Sequence, residues 1–208
     1  LFYITCHIIQ TMARTADKTD IPRRLTSAGH ALFAQHGYNA TGIQQITDQA
    51  KVPKGSFYNH FDSKEAFAVQ IIRHYAESVD ALWQQSLMDA PSDPLASLTH
   101  LFERFVAHHE QAACPGCLVG NFAAEMAESS PTCRDELSSV MREWRQRLAD
   151  LIQLAQDQGQ IRQDLSALAL AGFFWDAWQG ALLRMKVTHS SRPLKEAVSL
   201  MLDHFFKP

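Results

Sequence analysis

The sequence predicts an all-α protein of about nine helices, three short ones first and six longer ones after them. Three observations predict it. Apolar residues recur at helical spacing from Leu25 to Phe206, and no stretch alternates with the period of two that a half-buried strand needs. Helix punctuation recurs too: Asp20-Ile21-Pro22 and Ser191-Arg192-Pro193 read as starts, Gly37 and Gly159 as stops. There is no internal repeat and no low-complexity tract. With 208 residues, 46% hydrophobic and 20% charged, the chain can bury a sizeable core in one large or two small domains.

The first helix runs from about Asp20 to His36, with Leu25, Ala28, Leu32 and Phe33 on its core face. Thr41 is placed to cap the second, where Ile43, Ile46 and Ala50 make one apolar stripe. Lys51-Val52 forms a turn, and Pro53 suits the first turn of a third helix because its missing N–H would be unpaired there anyway. That helix, Lys54 to His60, is very short. Phe57 and Phe61, at i and i+4, point inward. The fourth starts near Ser63, favoured by Asp62 and Glu65, and runs to about Met88. The break Asp89 to Pro94 precedes a fifth to Gln111, with Leu98, Leu101, Phe102 and Phe105 inward. Ala113 to Gly116 is a turn. The sixth covers about Val119 to Glu128, Ser130-Pro131 restarts the chain, and the seventh ends at Gln158. The eighth spans about Ser166 to Val187, and the ninth runs from Ser191 to Phe206.

The functional reading starts at the third helix. With its phenylalanines inward, Lys54, Gly55, Ser56, Tyr58, Asn59 and His60 are left outward, and Gly55 lets the backbone approach a partner closely. A short helix carrying Lys, Ser, Tyr and Asn suits entry into a DNA major groove. Lys54, Lys64, Tyr58 and Thr41 are expected on phosphates. Ser56, Asn59, Gln44 and Lys54 are the candidates for base edges, since Asn matches adenine and Lys reaches guanine. The net charge of −3 conceals a split. Residues 1–75 hold 8 Lys+Arg against 5 Asp+Glu, and residues 76–208 hold 11 against 17. Screening beyond roughly 8 Å makes the local excess the relevant one.

The run KGSFYNHFDSKEAF, preceded by FAQHGY and Thr41, resembles the helix-turn-helix of TetR-type transcriptional regulators. The resemblance implies domains at 17–65 for DNA binding and 66–208 for effector sensing and dimerisation; residues 1–16 are expected from the sequence itself to be an extraneous or disordered tail. The resemblance also implies a homodimeric repressor released from a near-palindromic double-stranded operator by a small effector. No cofactor and no metal are implied. Helices eight and nine are apolar over more than half their circumference. The resemblance favours a two-fold four-helix interface there, carried by Leu168, Gly172, Trp175, Gln179 and Leu182 and by Val198, Met201, Leu202 and Phe205. A core within one chain is the other reading.

The effector half is less legible. Trp83, Phe102, Phe105, Phe122, Met126, Trp144, Phe174 and Trp178 are the candidates to line a pocket for an apolar or aromatic effector, and the same residues suit an ordinary core. Cys114-Pro115-Gly116-Cys117 precedes the sixth helix, where a helix N-terminus favours thiolate and His108 and His109 could add positive charge. The segment GCLVGNFAAEMA is similar to the electrophile-sensing, NemR-like subgroup, which implies Cys117 as a sensor of oxidants, quinones or aldehydes with Cys114 or Cys133 as partner. Buried packing of the thiols and a metal site with His108 or His109 are the alternatives.

Four cysteines are too few and too clustered for a secreted disulfide scaffold, so a reducing cytoplasm is expected. No apolar run reaches the roughly 20 residues that span a bilayer, and Leu1 to Ile9 lacks the basic flank of a signal peptide. A thiol–disulfide enzyme built on C-x-x-C is the rival from another class, but no β-α-β pattern accompanies the motif. No Ser-His-Asp order, phosphate loop or H-E-x-x-H motif is present, so the chain is read as no enzyme.

Overall fold

The computed structural model describes residues 20–111 and 116–208, and among them every regular element is helical. The elements are α1 (Ile21–His36), α2 (Ile43–Ala50), α3 (Lys54–Tyr58), α4 (Lys64–Met88), α5 (Pro94–Gln111), α6 (Leu118–Met126), α7 (Pro131–Asp157), α8 (Ala167–Thr188) and α9 (Arg192–Ser199). Leu200–Phe205 prolongs α9 with π-helical winding. None of these helices is long and apolar enough to cross a membrane.

The ends follow local chemistry. Asp20 Oδ1 accepts from Arg23 N at 3.3 Å, and Gly37, at φ 80°, closes α1 by donating to Phe33 O at 3.0 Å. Ser63 Oγ accepts from Ala66 N at 3.0 Å, and Ser166 Oγ from Ala169 N at 3.2 Å, each covering one orphan N–H. The ninth helix is expected to wind regularly to Phe206. Instead Phe206 N reaches back five residues to Met201 O at 2.8 Å. That wider winding seats the Phe206 ring in the core beside Phe174, centroids 6.0 Å apart.

Two compact units emerge. The first runs through Ser78 and takes in Leu118–Leu137. It therefore extends beyond the expected boundary at 65, which falls inside the continuous α4, and it adds α6 from much later in the chain. Its core is aromatic. Phe67 meets Phe61 at 4.6 Å, Phe57 at 5.1 Å and Phe33 at 5.9 Å, and Phe33 meets Phe122 at 5.4 Å. Phe33, Phe57, Phe67 and Phe122 are all essentially fully buried, each contributing roughly 1.5–3 kcal/mol of burial. Gly29 lets α1 lie on α4, because a Cβ there would stand 2.3 Å from the Phe67 ring.

The second unit comprises Val79–Cys117 and Ser138–Pro208. Leu98, Leu101, Phe102, Leu148, Ile152, Phe174, Trp178 and Leu194 form its centre. Asp80 accepts from Trp144 Nε1 at 3.1 Å and from both ends of the Arg147 guanidinium, tying α4 to α7.

Candidate nucleic-acid interface

The short helix α3 stands on a scaffold that leaves most of its surface free. Phe57 is its one buried residue, wedged against Phe61 and Phe67. Lys54, Gly55, Tyr58, Asn59 and His60 are exposed and Ser56 is half-exposed; the helix ends at Tyr58 rather than His60, so Asn59 caps it and His60 follows in the turn. Tyr58 is 53% exposed, unusual for so large a side chain. The turn before α3 is held at several points. Lys51 takes the left-handed conformation at φ 55°, Val52 is buried, and Arg24 Nη2 donates to Ala50 O at 2.5 Å and Lys51 O at 2.8 Å. An arginine from α1 thus caps the C-terminus of α2 and holds the α2–α3 angle.

Among the described residues nothing in the packing or the backbone requires a glycine at position 55. Its φ lies outside the left-handed region, and no described neighbour lies within 4 Å of where a Cβ would be. A glycine in a helix costs about 1 kcal/mol relative to alanine.

Two expected contacts change. Thr41 is neither cap nor anion contact: it is 1% exposed and its hydroxyl donates to Gly37 O at 2.7 Å. Gly42 caps α2 instead, with its N–H donating to Gln45 Oε1 at 2.6 Å. Spacing alone could not separate a threonine hydroxyl turned into the preceding turn from one turned onto the helix. Lys64 is half-buried rather than free. Its Nζ donates to Tyr38 O at 2.6 Å and lies 4.0 Å over the Tyr38 ring, and burial lowers its pKa against the supporting charge of Glu125. Gln44 remains exposed, its amide paired with Asp48 at 2.8 Å.

The expected pocket residues do not form one group. In the second unit, Phe102 packs on Phe174 at 4.2 Å and on Trp178 at 5.4 Å, and Phe105 touches Trp83 and Trp178. Trp144 is occupied by Asp80 and by Trp175, 5.3 Å away. Phe122 and Met126 belong to the first unit, where Phe122 packs on Phe33 and Tyr38. Sequence reading missed the buried polar atoms of the second unit. His100 Nε2, His109 Nδ1 and Gln179 Nε2 have no hydrogen-bond partner among the described residues, and His109 lies 6.1 Å from Trp178.

The surroundings of Cys117 and Cys133 differ from those expected for a reactive thiol. Cys114 lies outside the described residues, and Cys117 is buried, 8% exposed. His108 and His109 cannot supply positive charge near neutral pH, because burial lowers both and brings His109 to about 4. Cys133 is fully buried in the first unit and burial raises its thiol pKa, which works against a thiolate. Among the described residues no three metal-ligating side chains gather.

The residues expected at a dimer face divide between core and surface. Leu182, Val198, Met201 and Leu202 are buried by their own chain and are core. Trp175 leans on Trp144, Phe205 on Phe173 at 5.0 Å, and Gly172 and Gln179 are half-covered. The exposed apolar side of α8 carries Phe173, Leu183 and Val187, which are 53%, 62% and 82% exposed. Leu200 is exposed on the π-turn, and Leu168 stands at 42% on α8's edge. On a helix apolar around most of its circumference, periodicity cannot tell the inner face from the outer one.

Half-buried histidines with lowered pKa values are expected to make the protein acid-sensitive. His30, stacked on Tyr75 at 5.9 Å, is held near 4 by burial and by His74; His109 is held near 4 by burial and by His108. Both folded values lie below the unfolded value of 6.5, so the unfolded chain binds more protons in that window. Stability is therefore full above pH 6.5 and falls between 6.5 and 4, by on the order of 1–3 kcal/mol per histidine. Melting curves from pH 8 to 4 check this, and His30→Gln should flatten the fall.

Two family models match the chain: residues 25–71 match the tetR family of bacterial regulatory proteins, and residues 94–201 match the tetracyclin repressor-like C-terminal domain. The chain is 35% identical to the HTH-type transcriptional repressor DhaR of Mycobacterium sp. over 89% of its length and 92% of that protein's. It is 35% identical to the transcriptional regulator AcuR of Cereibacter sphaeroides, over 87% and 83%. Similar solved structures include a regulatory protein TetR from Rhodobacter sphaeroides, with TM-score 0.78, 34% identity, and 88% and 98% of the two chains covered. Another is the reduced form of Escherichia coli NemR, with TM-score 0.79, 26% identity, and 91% and 97% covered.

Proposed function

The chain belongs to the TetR family of DNA-binding transcriptional regulators, and from that premise we propose that it is a homodimeric repressor of a near-palindromic operator, released by a small effector. The observation that carries the reading is the outward surface of α3, with Gly55 required by nothing in the described packing or backbone. Lys54 and Tyr58 contact phosphates, which set register. Ser56 and Asn59 face base edges in the major groove. Lys64, bound to Tyr38, orders the head and adds its charge to the phosphate attraction. Two chains meet across Phe173, Leu183, Val187 and Leu200, and the two heads read half-sites about one duplex turn apart. Gly180 supports this face: no described neighbour lies within 4 Å of its Cβ position, so a second helix can approach closely there.

The effector is a largely apolar molecule with a hydrogen-bonding group. The aromatic cluster around Phe105 and Trp178, with the unpaired His109 Nδ1 beside it, supports that class. Half-buried histidines whose pKa values are lowered suit an uncharged partner better than an ion.

An anisotropy isotherm on duplex DNA from upstream of its own gene, at several salt concentrations, tests the reading. Binding is expected to weaken steeply with salt, and Lys54→Ala to reduce the slope of log K against log salt by about one unit. A salt slope unchanged by Lys54→Ala would remove α3 from the phosphate contacts.

A further inference from the structure

The turn between α1 and α2 is held by a residue from far along the chain. Glu125, on α6, accepts from Tyr38 N at 3.2 Å with Oε1 and from Asn39 N at 2.8 Å with Oε2. One carboxylate thus takes both consecutive turn amides as charge-assisted hydrogen bonds. The same peptide is held from its other side, since Tyr38 O accepts from Lys64 Nζ at 2.6 Å under an ammonium 4.0 Å over the ring. Phe122, one turn before Glu125 on α6, meets the Tyr38 ring at 6.2 Å and Phe33 at 5.4 Å. Gly37 completes the clasp. At φ 80° it turns the chain, and a Cβ there would stand 2.4 Å from Glu125 Oε1.

We infer that Glu125 is a positioning residue for operator binding: it fixes the α1–α2 turn, and through it the pose of α2 and α3, without touching DNA. The turn is the hinge of the reading head. Tyr38 and Asn39 lie beyond the end of α1 and before α2, so their amides have no helical carbonyl to bond. With the carboxylate in place the two bonds and the Lys64 contact leave this segment one conformation. Without it the turn samples several, and only the fraction posed correctly binds. The geometry of the head is thereby conditional on α6, a helix outside the 25–71 segment that the N-terminal family model covers.

The sign of the effect separates positioning from plain charge. Deleting a carboxylate near a DNA-binding surface should strengthen phosphate attraction. Loss of positioning weakens binding instead. This inference rests on the operator reading, so its test has an arm that needs no DNA. Full-length Glu125→Ala and Glu125→Gln are compared with wild type by amide hydrogen exchange, by melting, and by titration onto duplex from upstream of the gene. In Glu125→Ala, exchange at the Tyr38 and Asn39 amides is expected to accelerate at least about tenfold with the amides of α8 unchanged, and affinity to fall about tenfold. The salt slope should stay the same, because no phosphate contact is lost. Glu125→Gln keeps its size and one carbonyl acceptor, and should fall between the two in both readouts while melting like wild type. Equal or tighter DNA binding by Glu125→Ala would overturn the inference, as would unchanged exchange at both amides. A wild type that fails to bind the duplex, with exchange still accelerated in Glu125→Ala, would support the clasp and overturn the operator reading instead.

Discussion

Gly55→Glu is expected to reduce operator affinity at least about 100-fold while leaving the protein as stable as before, or slightly more so. The two halves of that expectation come from different physics. Gly55 is the second residue of α3, has ordinary helical backbone, and has no described neighbour within 4 Å of its Cβ position. Replacing glycine in a helix gains up to about 1 kcal/mol, and a carboxylate in the first turn gains roughly 0.3–1 more from the helix dipole. The DNA side responds in the opposite sense. A side chain placed where the duplex backbone approaches closest, and carrying a negative charge toward phosphates, opposes binding both sterically and electrostatically. A 100-fold loss is about 2.8 kcal/mol. Thermal unfolding and an anisotropy titration of the same preparation check both halves. Stability lower by more than about 1 kcal/mol would mean the chain itself needs Gly55, and wild-type affinity would take α3 out of the groove.

Leu183→Asp is expected to turn a dimer into a monomer, and with it to lose at least about 100-fold in operator affinity. Leu183 is 62% exposed, between Val187 and Phe173 on the outer side of α8 and beside Gly180. Within one chain its side chain is mostly in solvent, so an aspartate there changes folding stability by no more than about 0.5 kcal/mol. In an interface the same aspartate would be a desolvated, unpaired charge, which is costly. A monomer forfeits the second half-site, and the gain from tethering two heads disappears with it. Sedimentation velocity gives the oligomeric state directly. A wild type that sediments as a monomer, or a Leu183→Asp protein that stays dimeric, would sink the assignment of this face. Leu182→Asp is the useful contrast: Leu182 is 3% exposed, so that substitution should damage the fold itself.

How much could be read beforehand depended on whether the signal was local. The helix boundaries were legible to within a residue or two, because caps and breakers act over one turn: Asp20, Gly37, Ser63, Ser166 and Pro193 all sit where their chemistry predicts. The outward set on and just after α3 was legible for the same reason, since Phe57 within the helix and Phe61 just beyond it both pack toward Phe67 and leave the opposite side exposed. Thr41 was misread because a hydroxyl has several acceptors within reach, and only the path of the turn selects Gly37 O. The π-winding after Leu200 was invisible because it answers a demand from elsewhere, the seating of Phe206 beside Phe174.

By itself, then, the sequence determined an all-α chain, its helix limits, a DNA-reading head and membership of the TetR family, since all of these rest on short-range periodicity, capping and a contiguous motif. The tertiary structure alone decided which side of α8 is core and which is free. It also decided that α6 belongs with the head through Phe122 and Glu125, that Lys64 donates to Tyr38 O, and that burial lowers the pKa of His108 and His109. Each of these depends on which surfaces residues distant in sequence bury against one another, and burial, unlike helical period, is not a property of a segment.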